Sequence, residues 1–142
     1  MTAPLVPELD VGDLDRSIAF YVGVLGFSVR HQRPEERFIY LEREGAELML
    51  EAAAGPGRRF RTAPLEPPFG RGINLQIRVA DAAGLLARVE AAGGAPLIPL
   101  ETRWYRAGEV ERGNRQFVVA DPDGYLLRFY EDLGGRPSQE TS

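Results

Sequence analysis

The side chains that could do chemistry in this chain are carboxylates and arginines. Cysteine is absent, which excludes thiolate chemistry. His31 is the only histidine, which argues against a multi-histidine metal site and against a Ser-His-Asp relay unless a partner chain helps. Glu8 could act as a general base, and Asp121 with Asp123 could form a catalytic carboxylate pair. Asp beside Pro and Gly is also typical of a tight turn, and this role is the favoured interpretation of DPDG. Arg128, in the strand-like segment that follows, is a fixed cation suited to binding anions.

Length and composition indicate an ordinary globular chain. Its 142 residues suit one compact domain or two half-domains that share a core, and 44% of them are hydrophobic. The net charge of −4 argues against a nucleic-acid partner, which requires a basic surface. The sequence shows neither a signal peptide nor an apolar run long enough to span a bilayer, so we expect a cytoplasmic protein without a membrane partner.

The elements that must position these side chains occur twice in the same order. Asp13 and Asp81, which lie 68 positions apart, are predicted N-caps of two helices that end at Gly26 and Gly93. Each helix follows one strand and precedes three, which predicts two βαβββ modules and an α+β fold with mixed sheets. Beyond the opening strand, the predicted strands span 27–32, 37–43, 46–52, 73–79, 96–103, 109–120 and 125–131. The predicted segments are a first module at 1–55, a Gly/Pro-rich linker or lid at 56–71, a second module at 72–133 and a flexible tail at 134–142.

Alternation along the strands predicts which side chains face away from the helices. Leu9, Leu48, Leu75 and Leu127 belong to the apolar, helix-facing sets. The opposite face is predicted to carry Val6, Glu8, Asp10, Glu47, Met49, Glu51, Asn74, Gln76, Arg78, Leu126, Arg128 and Tyr130. This face is either the solvated side of a sheet or the lining of a ligand cavity, and alternation alone does not decide between them.

Two stretches, VPELDVGDLDRSIAFYVGVLGF and FVVADPDGYLLRFYEDL, resemble the vicinal oxygen chelate superfamily. This superfamily contains glyoxalase I, extradiol dioxygenases, and fosfomycin- and bleomycin-resistance proteins. The resemblance covers about residues 4 to 133 and implies paired βαβββ modules whose sheets curl around a cup, usually in a homodimer.

The resemblance also implies four positions for the ligands of a divalent metal. They fall on Val6, Asn74, Met49 and Arg128 in this sequence. Valine and methionine are poor ligands for hard cations, one neutral asparagine is weak, and arginine has no lone pair to give. We therefore expect neither a metal nor another cofactor. A displaced carboxylate site built from Glu8, Glu47 and Glu51 is a less favoured alternative.

The segment RWYRAGEVERGNRQFVVADPDG extends the resemblance to the bleomycin-resistance branch, whose members sequester a drug without a metal. There, aromatic rings stack on a flat ligand and carboxylates pair with its cationic part. The ligand-binding residues predicted for this chain are Glu8, Met49, Phe60, Phe69, Asn74, Gln76, Trp104, Tyr105, Glu109, Glu111 and Arg128. Arg103, Arg106 and Arg128 also suit a ligand that bears a carboxylate or phosphate.

Two functions follow from the resemblance. The first is metal-independent sequestration of a small organic molecule, including an antibiotic, in a cleft of a homodimer. The second is a lyase, isomerase or dioxygenase of the same fold with an atypical or absent metal site. The sequence favours the first function and therefore a protein that is not an enzyme.

Overall fold

The computed structural model describes residues 2–138, which form two compact units. The first unit contains the chain up to Asn74 together with Ala120–Leu126. The second contains Leu75–Val119 together with the residues from Leu127 on. Each unit is thus assembled from two separate parts of the chain, whereas the sequence predicted modules that are continuous along it.

The first unit is built on a four-stranded sheet. Its elements are β1 (Glu8–Val11), α1 (Leu14–Ile18), a π-helical turn (Ala19–Val24), β2 (Ser28–Arg33), a 3-10 turn (Pro34–Glu36), β3 (Phe38–Arg43) and β4 (Ala46–Ala52). The strand order is β1-β4-β3-β2, with β1 parallel to β4 and the other pairs antiparallel. Leu9, Val11, Leu48 and Leu50 are buried, so the predicted apolar face is confirmed.

The first helix begins as predicted and then widens. The Asp13 carboxylate accepts a hydrogen bond from the Arg16 amide at 3.2 Å, which confirms the N-cap. Further on, the Leu25 amide donates to the carbonyl of Phe20 at 2.9 Å, five residues back, which is the π-helical pattern. Gly26 ends the segment at φ 81°, a conformation that favours glycine.

The DPDG turn is held by its own first carboxylate. Asp121 Oδ1 accepts from the amides of Asp123 and Tyr125 at 2.9 and 2.8 Å, and Gly124 has φ 93°. Asp121 Oδ2 accepts from the buried hydroxyl of Tyr21 at 2.8 Å, which ties the turn to the first helix. These bonds confirm that Asp121 shapes the turn.

The second unit repeats the plan. Its elements are β5 (Asn74–Arg78), α2 (Ala82–Ala91), β6 (Ile98–Ala107), β7 (Val110–Ala120) and β8 (Leu126–Pro137), in the sheet order β5-β8-β7-β6. Asp81 accepts from the Gly84 amide at 2.9 Å and Gly93 has φ 88°, so both predicted helix ends are confirmed. Leu127 and Phe129 are fully buried, as alternation predicts.

Two predicted segments differ from the observed structure. The predicted flexible tail was wrong for Gly134–Pro137, because these residues extend β8; residues 139–142 of that tail lie outside the described part of the chain. In the linker, Arg59 folds back on the first sheet, with its Nη1 2.6 Å from Glu51 Oε1 and its Nε 2.8 Å from Asp10 Oδ1. Glu51 therefore keeps its predicted direction but is only 3% exposed.

Two four-stranded sheets, each joined to a helical segment, confirm the predicted α+β class. Neither sheet closes on itself. No helix in the described part of the chain has the length and apolar character needed to cross a membrane.

Candidate functional site

The candidate site is a pocket of about 340 Å³ on the second sheet, which we name the Arg128 pocket. Its lining consists of Gln76, Tyr105, Ala107, Arg112, Asn114, Arg128, Tyr130 and Asp132. All eight residues belong to the second unit.

Strand alternation explains how these side chains meet. Arg128 and Tyr130 lie on β8 between the buried Leu127 and Phe129, and therefore project from the opposite face of the strand. On β6 and β7, Tyr105 is paired in register with Arg112, so their side chains share a face of the sheet. Alternate positions of three adjacent strands thus build one surface.

Arg128 is the central cation of the pocket. It is half-buried, and its Nη2 donates to the amide oxygen of Gln76. Its Nε is buried and has no hydrogen-bond partner among the residues that the structure describes. Because Gln76 is neutral, this contact orients the guanidinium without neutralising its charge.

A second cation at the pocket is already paired. Arg112 Nη2 lies 3.0 and 2.9 Å from the two carboxylate oxygens of Asp132. The amide of Gly134 also donates to Asp132 at 2.8 Å, and this bond with the Arg112 charge holds the pKa of Asp132 below its usual range. Both partners are exposed, so the pair contributes little to stability.

Buried amides orient the hydroxyl of Tyr105. Gln116 Nε2 donates to that hydroxyl at 2.6 Å and to Glu101 Oε1 at 3.2 Å. Behind it, Asn114 Nδ2 lies 3.5 Å from Gln116 Oε1. Since Tyr105 accepts from Gln116, its own O–H proton remains available for another acceptor.

Three predicted ligand-binding residues, Gln76, Tyr105 and Arg128, are therefore brought together in the Arg128 pocket. Alternation on β7 and on the end of β8 could also have indicated Arg112, Asn114 and Asp132, which sequence reasoning missed. Asp132 lies one residue beyond the last predicted strand, 125–131, whereas β8 continues to Pro137.

Three other predicted residues of the second unit lie elsewhere. Trp104 is on the opposite face of β6, where its ring packs against Gly113 and the guanidinium of Arg136 lies 4.0 Å from its centroid. Glu111 pairs with the same arginine at 3.0 Å. Glu109 is exposed in the turn between β6 and β7. Trp104 and Glu111 thus form a local cluster with Arg136.

The remaining predicted residues are described with the first unit or at its boundary. Glu8 is exposed at the start of β1, yet partial burial and the neighbouring Glu51 carboxylate raise its pKa. Met49 is half-buried on β4, and Phe60 is 77% exposed with the Arg58 guanidinium 4.9 Å from its ring centroid.

Phe69 anchors the end of the linker. Its amide donates to the carbonyl of Asp123 at 2.7 Å, and its ring meets that of Tyr125 edge-on at 6.5 Å. Asn74 is exposed at the first position of β5. The contacts of Phe69 are those of a packing residue.

The first unit has a larger pocket of about 560 Å³ beside the start of α1. Its carboxylates are Asp13, which caps the helix, and Asp15 in the first helical turn. None of the predicted site residues lines it. The predicted site residues that line a pocket, Gln76, Tyr105 and Arg128, are those of the Arg128 pocket.

Comparison with known proteins agrees with this architecture. A bleomycin resistance protein from Geobacillus stearothermophilus is 28% identical over 135 residues, covering 90% of this chain and 96% of that protein. A probable lactoylglutathione lyase from Vibrio parahaemolyticus is 30% identical over 133 residues, covering 87% of this chain and 86% of that protein. The crystal structure of TioX from Micromonospora sp. ML1 is 25% identical, with a TM-score of 0.72 over 92% of this chain and 99% of that one.

The sequence model of one superfamily matches residues 6–129, which include both helices and most of both sheets. The resemblance seen in the sequence is thereby confirmed. This chain belongs to the Glyoxalase/Bleomycin resistance protein/Dioxygenase superfamily.

Proposed function

We propose that the protein binds a small organic molecule in the Arg128 pocket and releases it unchanged. The observation that carries this proposal is the pocket itself, in which Arg128, Tyr105 and Tyr130 converge on a volume of about 340 Å³. That volume is at the lower end of the range for small-molecule sites. A few oriented polar groups beside aromatic rings are the usual composition of such a site.

The lining of the pocket supports binding over proton-transfer chemistry. An efficient general acid or base has a pKa near the working pH. Asp132 is the only carboxylic acid in the lining, and Arg112 and the Gly134 amide lower its pKa, so it is a weak base at neutral pH.

The four positions that the resemblance implies for the superfamily's divalent metal do not carry suitable ligands in this chain. Val6 offers no donor atom, Met49 offers a soft thioether, and Arg128 carries a positive charge. Only Asn74 has an oxygen donor, and a single neutral oxygen does not hold a hard divalent cation. Within residues 2–138, moreover, no group of three or more His, Cys, Asp or Glu side chains could hold a metal ion.

The names of the relatives suggest where to look for the ligand. A bleomycin resistance protein is among them, which supports sequestration of a toxic organic molecule. The assignment of Phe60, Phe69, Trp104, Glu109 and Glu111 as ligand contacts stays a prediction from the sequence, and none of these residues lines the Arg128 pocket.

The proposal is tested by isothermal titration calorimetry with bleomycin and a panel of small aromatic compounds. We expect at least one compound to bind saturably with one site per chain and to be recovered chemically unchanged. Ala107→Phe fills the pocket without removing a polar group, so it should abolish binding. Ala91→Phe, on the exposed end of α2, is the matched control and should bind as the wild type does. Absence of binding across the panel, or equal binding by Ala107→Phe, would refute the proposal.

A second candidate function is that of a lyase or isomerase. The probable lactoylglutathione lyase at 30% identity favours it, and the raised pKa of Glu8 suits a general base. Metal analysis of the purified protein and product analysis after incubation with hemithioacetals of glutathione test this candidate. Stoichiometric metal with product formation would establish it, and loss of turnover in Glu8→Gln would assign the base.

We further propose that the protein is a homodimer. The second unit exposes several large apolar side chains in a single copy: Leu97, Ile98, Val110 and Leu133. Ile98 and Val110 lie at opposite ends of the β6–β7 pair, and covering such side chains by a second copy would remove apolar surface from water. Sedimentation velocity should show a dimer that Leu97→Glu or Leu133→Glu dissociates, and a monomeric wild type would overturn the proposal.

A further inference from the structure

We propose that the ligand of the Arg128 pocket is an organic monocarboxylate whose acidic group is bound by Arg128 and Tyr105. This inference rests on the proposed binding function and narrows it to one chemical class. It is carried by the pairing of the arginines, by the balance of donors and acceptors in the pocket, and by its net charge.

Arg128 differs from every comparable arginine among residues 2–138. Four arginines there are half-buried, namely Arg43, Arg59, Arg128 and Arg136. Arg43, Arg59 and Arg136 each form an ion pair with a carboxylate. Arg128 contacts a neutral amide instead and has no carboxylate partner among the described residues. A half-buried charge without a counterion is unfavourable, so a ligand that supplies the missing carboxylate gains binding energy there.

The unused hydrogen-bonding capacity of the pocket is dominated by donors. The carboxylate of Asp132 is already satisfied by Arg112 and the Gly134 amide, and the Gln76 oxygen by Arg128. The donors that remain include the guanidinium N–H groups of Arg128 that do not contact Gln76, and the proton of the Tyr105 hydroxyl, which accepts from Gln116. The hydroxyl of Tyr130 can either donate or accept. A carboxylate has acceptors only, so it complements this arrangement, whereas an ammonium or amidinium group would meet a cation and two donors.

The charge of the pocket favours one negative charge. Arg112 and Asp132 neutralise each other, which leaves the single positive charge of Arg128. A carboxylate carries one negative charge at neutral pH, while a phosphate monoester carries about 1.5 to 2. A planar carboxylate also matches the fork of the guanidinium. The half-buried ring of Tyr130 offers a flat surface for the body of such a ligand.

The inference is tested with three probes of the same size that differ in the charge and hydrogen-bonding groups of one substituent: 4-fluorobenzoate, 4-fluorobenzamide and 4-fluorobenzamidine. Probes of about ten non-hydrogen atoms bind in the millimolar range, so binding is followed by the ¹⁹F signal of the probe in a buffer without phosphate or sulfate. We expect the carboxylate to bind about tenfold more tightly than the amide, in line with one charge-assisted contact, and the amidine not to bind.

Three variants then separate the effect of the Arg128 charge on binding from any effect on folding. Arg128→Gln should reduce benzoate binding to the level of the amide and leave amide binding unchanged. Gln76→Glu, which places an internal carboxylate beside Arg128, should have the same effect on benzoate without removing the arginine. Arg115→Gln removes an exposed arginine elsewhere on β7 and should preserve the tenfold preference. Folding of each variant is checked by circular dichroism.

The possible outcomes distinguish a failure of the carboxylate inference from a failure of the proposed binding function. If the amide or amidine binds as well as benzoate, and Ala107→Phe blocks it, the binding function stands and the carboxylate inference falls. If the benzoate preference survives in both Arg128→Gln and Gln76→Glu, the site is misassigned and the inference also falls. If no probe binds and the wider panel is silent as well, both proposals fall.

Discussion

The hydroxyl of Tyr21 gives the sharpest prediction about stability, because it joins two parts of the first unit that are distant in sequence. Tyr21 is fully buried, and its O–H donates at 2.8 Å to Oδ2 of Asp121, which is 5% exposed. The other oxygen of Asp121 already accepts from the amides of Asp123 and Tyr125. Tyr21→Phe would therefore leave Oδ2 without a donor among the described residues, while changing almost no apolar contact.

Tyr21→Phe is expected to lower the free energy of unfolding by about 2–3 kcal/mol at neutral pH. A hydrogen bond to a charged group contributes about 1.5–3 kcal/mol, and a buried acceptor left unpaired costs a similar amount. For a chain of this length, about 2–3 kcal/mol corresponds to a fall in the melting temperature of about 5–10 °C. Urea and thermal unfolding followed by far-UV circular dichroism measure both quantities.

The loss of stability caused by Tyr21→Phe should also depend on pH, and the direction of that dependence can be predicted. Burial raises the pKa of Asp121 above its ordinary value, and the donors around it, including Tyr21, lower it in part. An acid whose pKa is raised by folding stabilises the protein below its ordinary pKa, and this contribution is lost as the pH rises through the raised value. Tyr21→Phe raises that pKa further, so the variant should lose more stability than the wild type between acidic and neutral pH. Near pH 4 the difference between the two proteins should shrink toward about 1 kcal/mol, the worth of a neutral hydrogen bond.

Tyr40→Phe is the matched control for this experiment. The Tyr40 hydroxyl donates at 2.9 Å to Glu47, but that carboxylate also accepts from Arg30 at 2.5 Å. Its loss should lower the urea midpoint clearly less than the loss of the Tyr21 hydroxyl. Equal shifts for the two variants, or a cost of Tyr21→Phe that stays constant from pH 4 to pH 7, would refute the reasoning.

Two further predictions concern buried contacts elsewhere in the chain. In Gly113→Ala the new Cβ would lie 2.7 Å from carbons of the Trp104 ring, so we expect a loss of about 1–3 kcal/mol in urea unfolding and a shifted tryptophan emission. In Gly23→Ala the new Cβ meets nothing within 4 Å, so this control should leave the emission unchanged and, as a Gly-to-Ala change in a helical turn, should not lower stability. Arg59→Gln would leave Glu51 buried without its cation, and we expect a loss of about 2–4 kcal/mol in the free energy of unfolding. The double change with Glu51→Gln should recover most of that loss, and failure to recover would show that the ion pair is not the cause.

The sequence predicted the elements that depend on local chemistry. The caps at Asp13 and Asp81 and the glycines after both helices are short-range devices, and each was found where expected. The apolar faces of the strands were also predicted, because alternation needs only the pleat of the backbone. For the same reason Arg128 and Gln76 were predicted to lie on the face turned away from the buried leucines, and the structure brings the two side chains into contact.

What the sequence could not show depends on contacts between distant side chains. The linker has no periodic pattern of apolar residues, so its sequence did not predict the ion pair between Arg59 and Glu51. The π-helical turn resembles an ordinary helix over so short a span. Trp104 and Tyr105 were grouped as neighbours in the chain, but adjacent strand residues face opposite sides, and only Tyr105 reaches the Arg128 pocket.

The half-buried arginines of this fold differ in the partner that each one contacts. At Arg59 and Arg136 the partner is a carboxylate, which neutralises the guanidinium and locks it in place. At Arg128 the partner is the amide of Gln76, which fixes direction but leaves the charge. A glutamate at position 76 would satisfy Arg128 fully and would remove any reason for an anion to bind. The neutral amide therefore keeps a half-buried cation oriented and still in need of a counterion, which is the arrangement that a binding site for an organic anion requires.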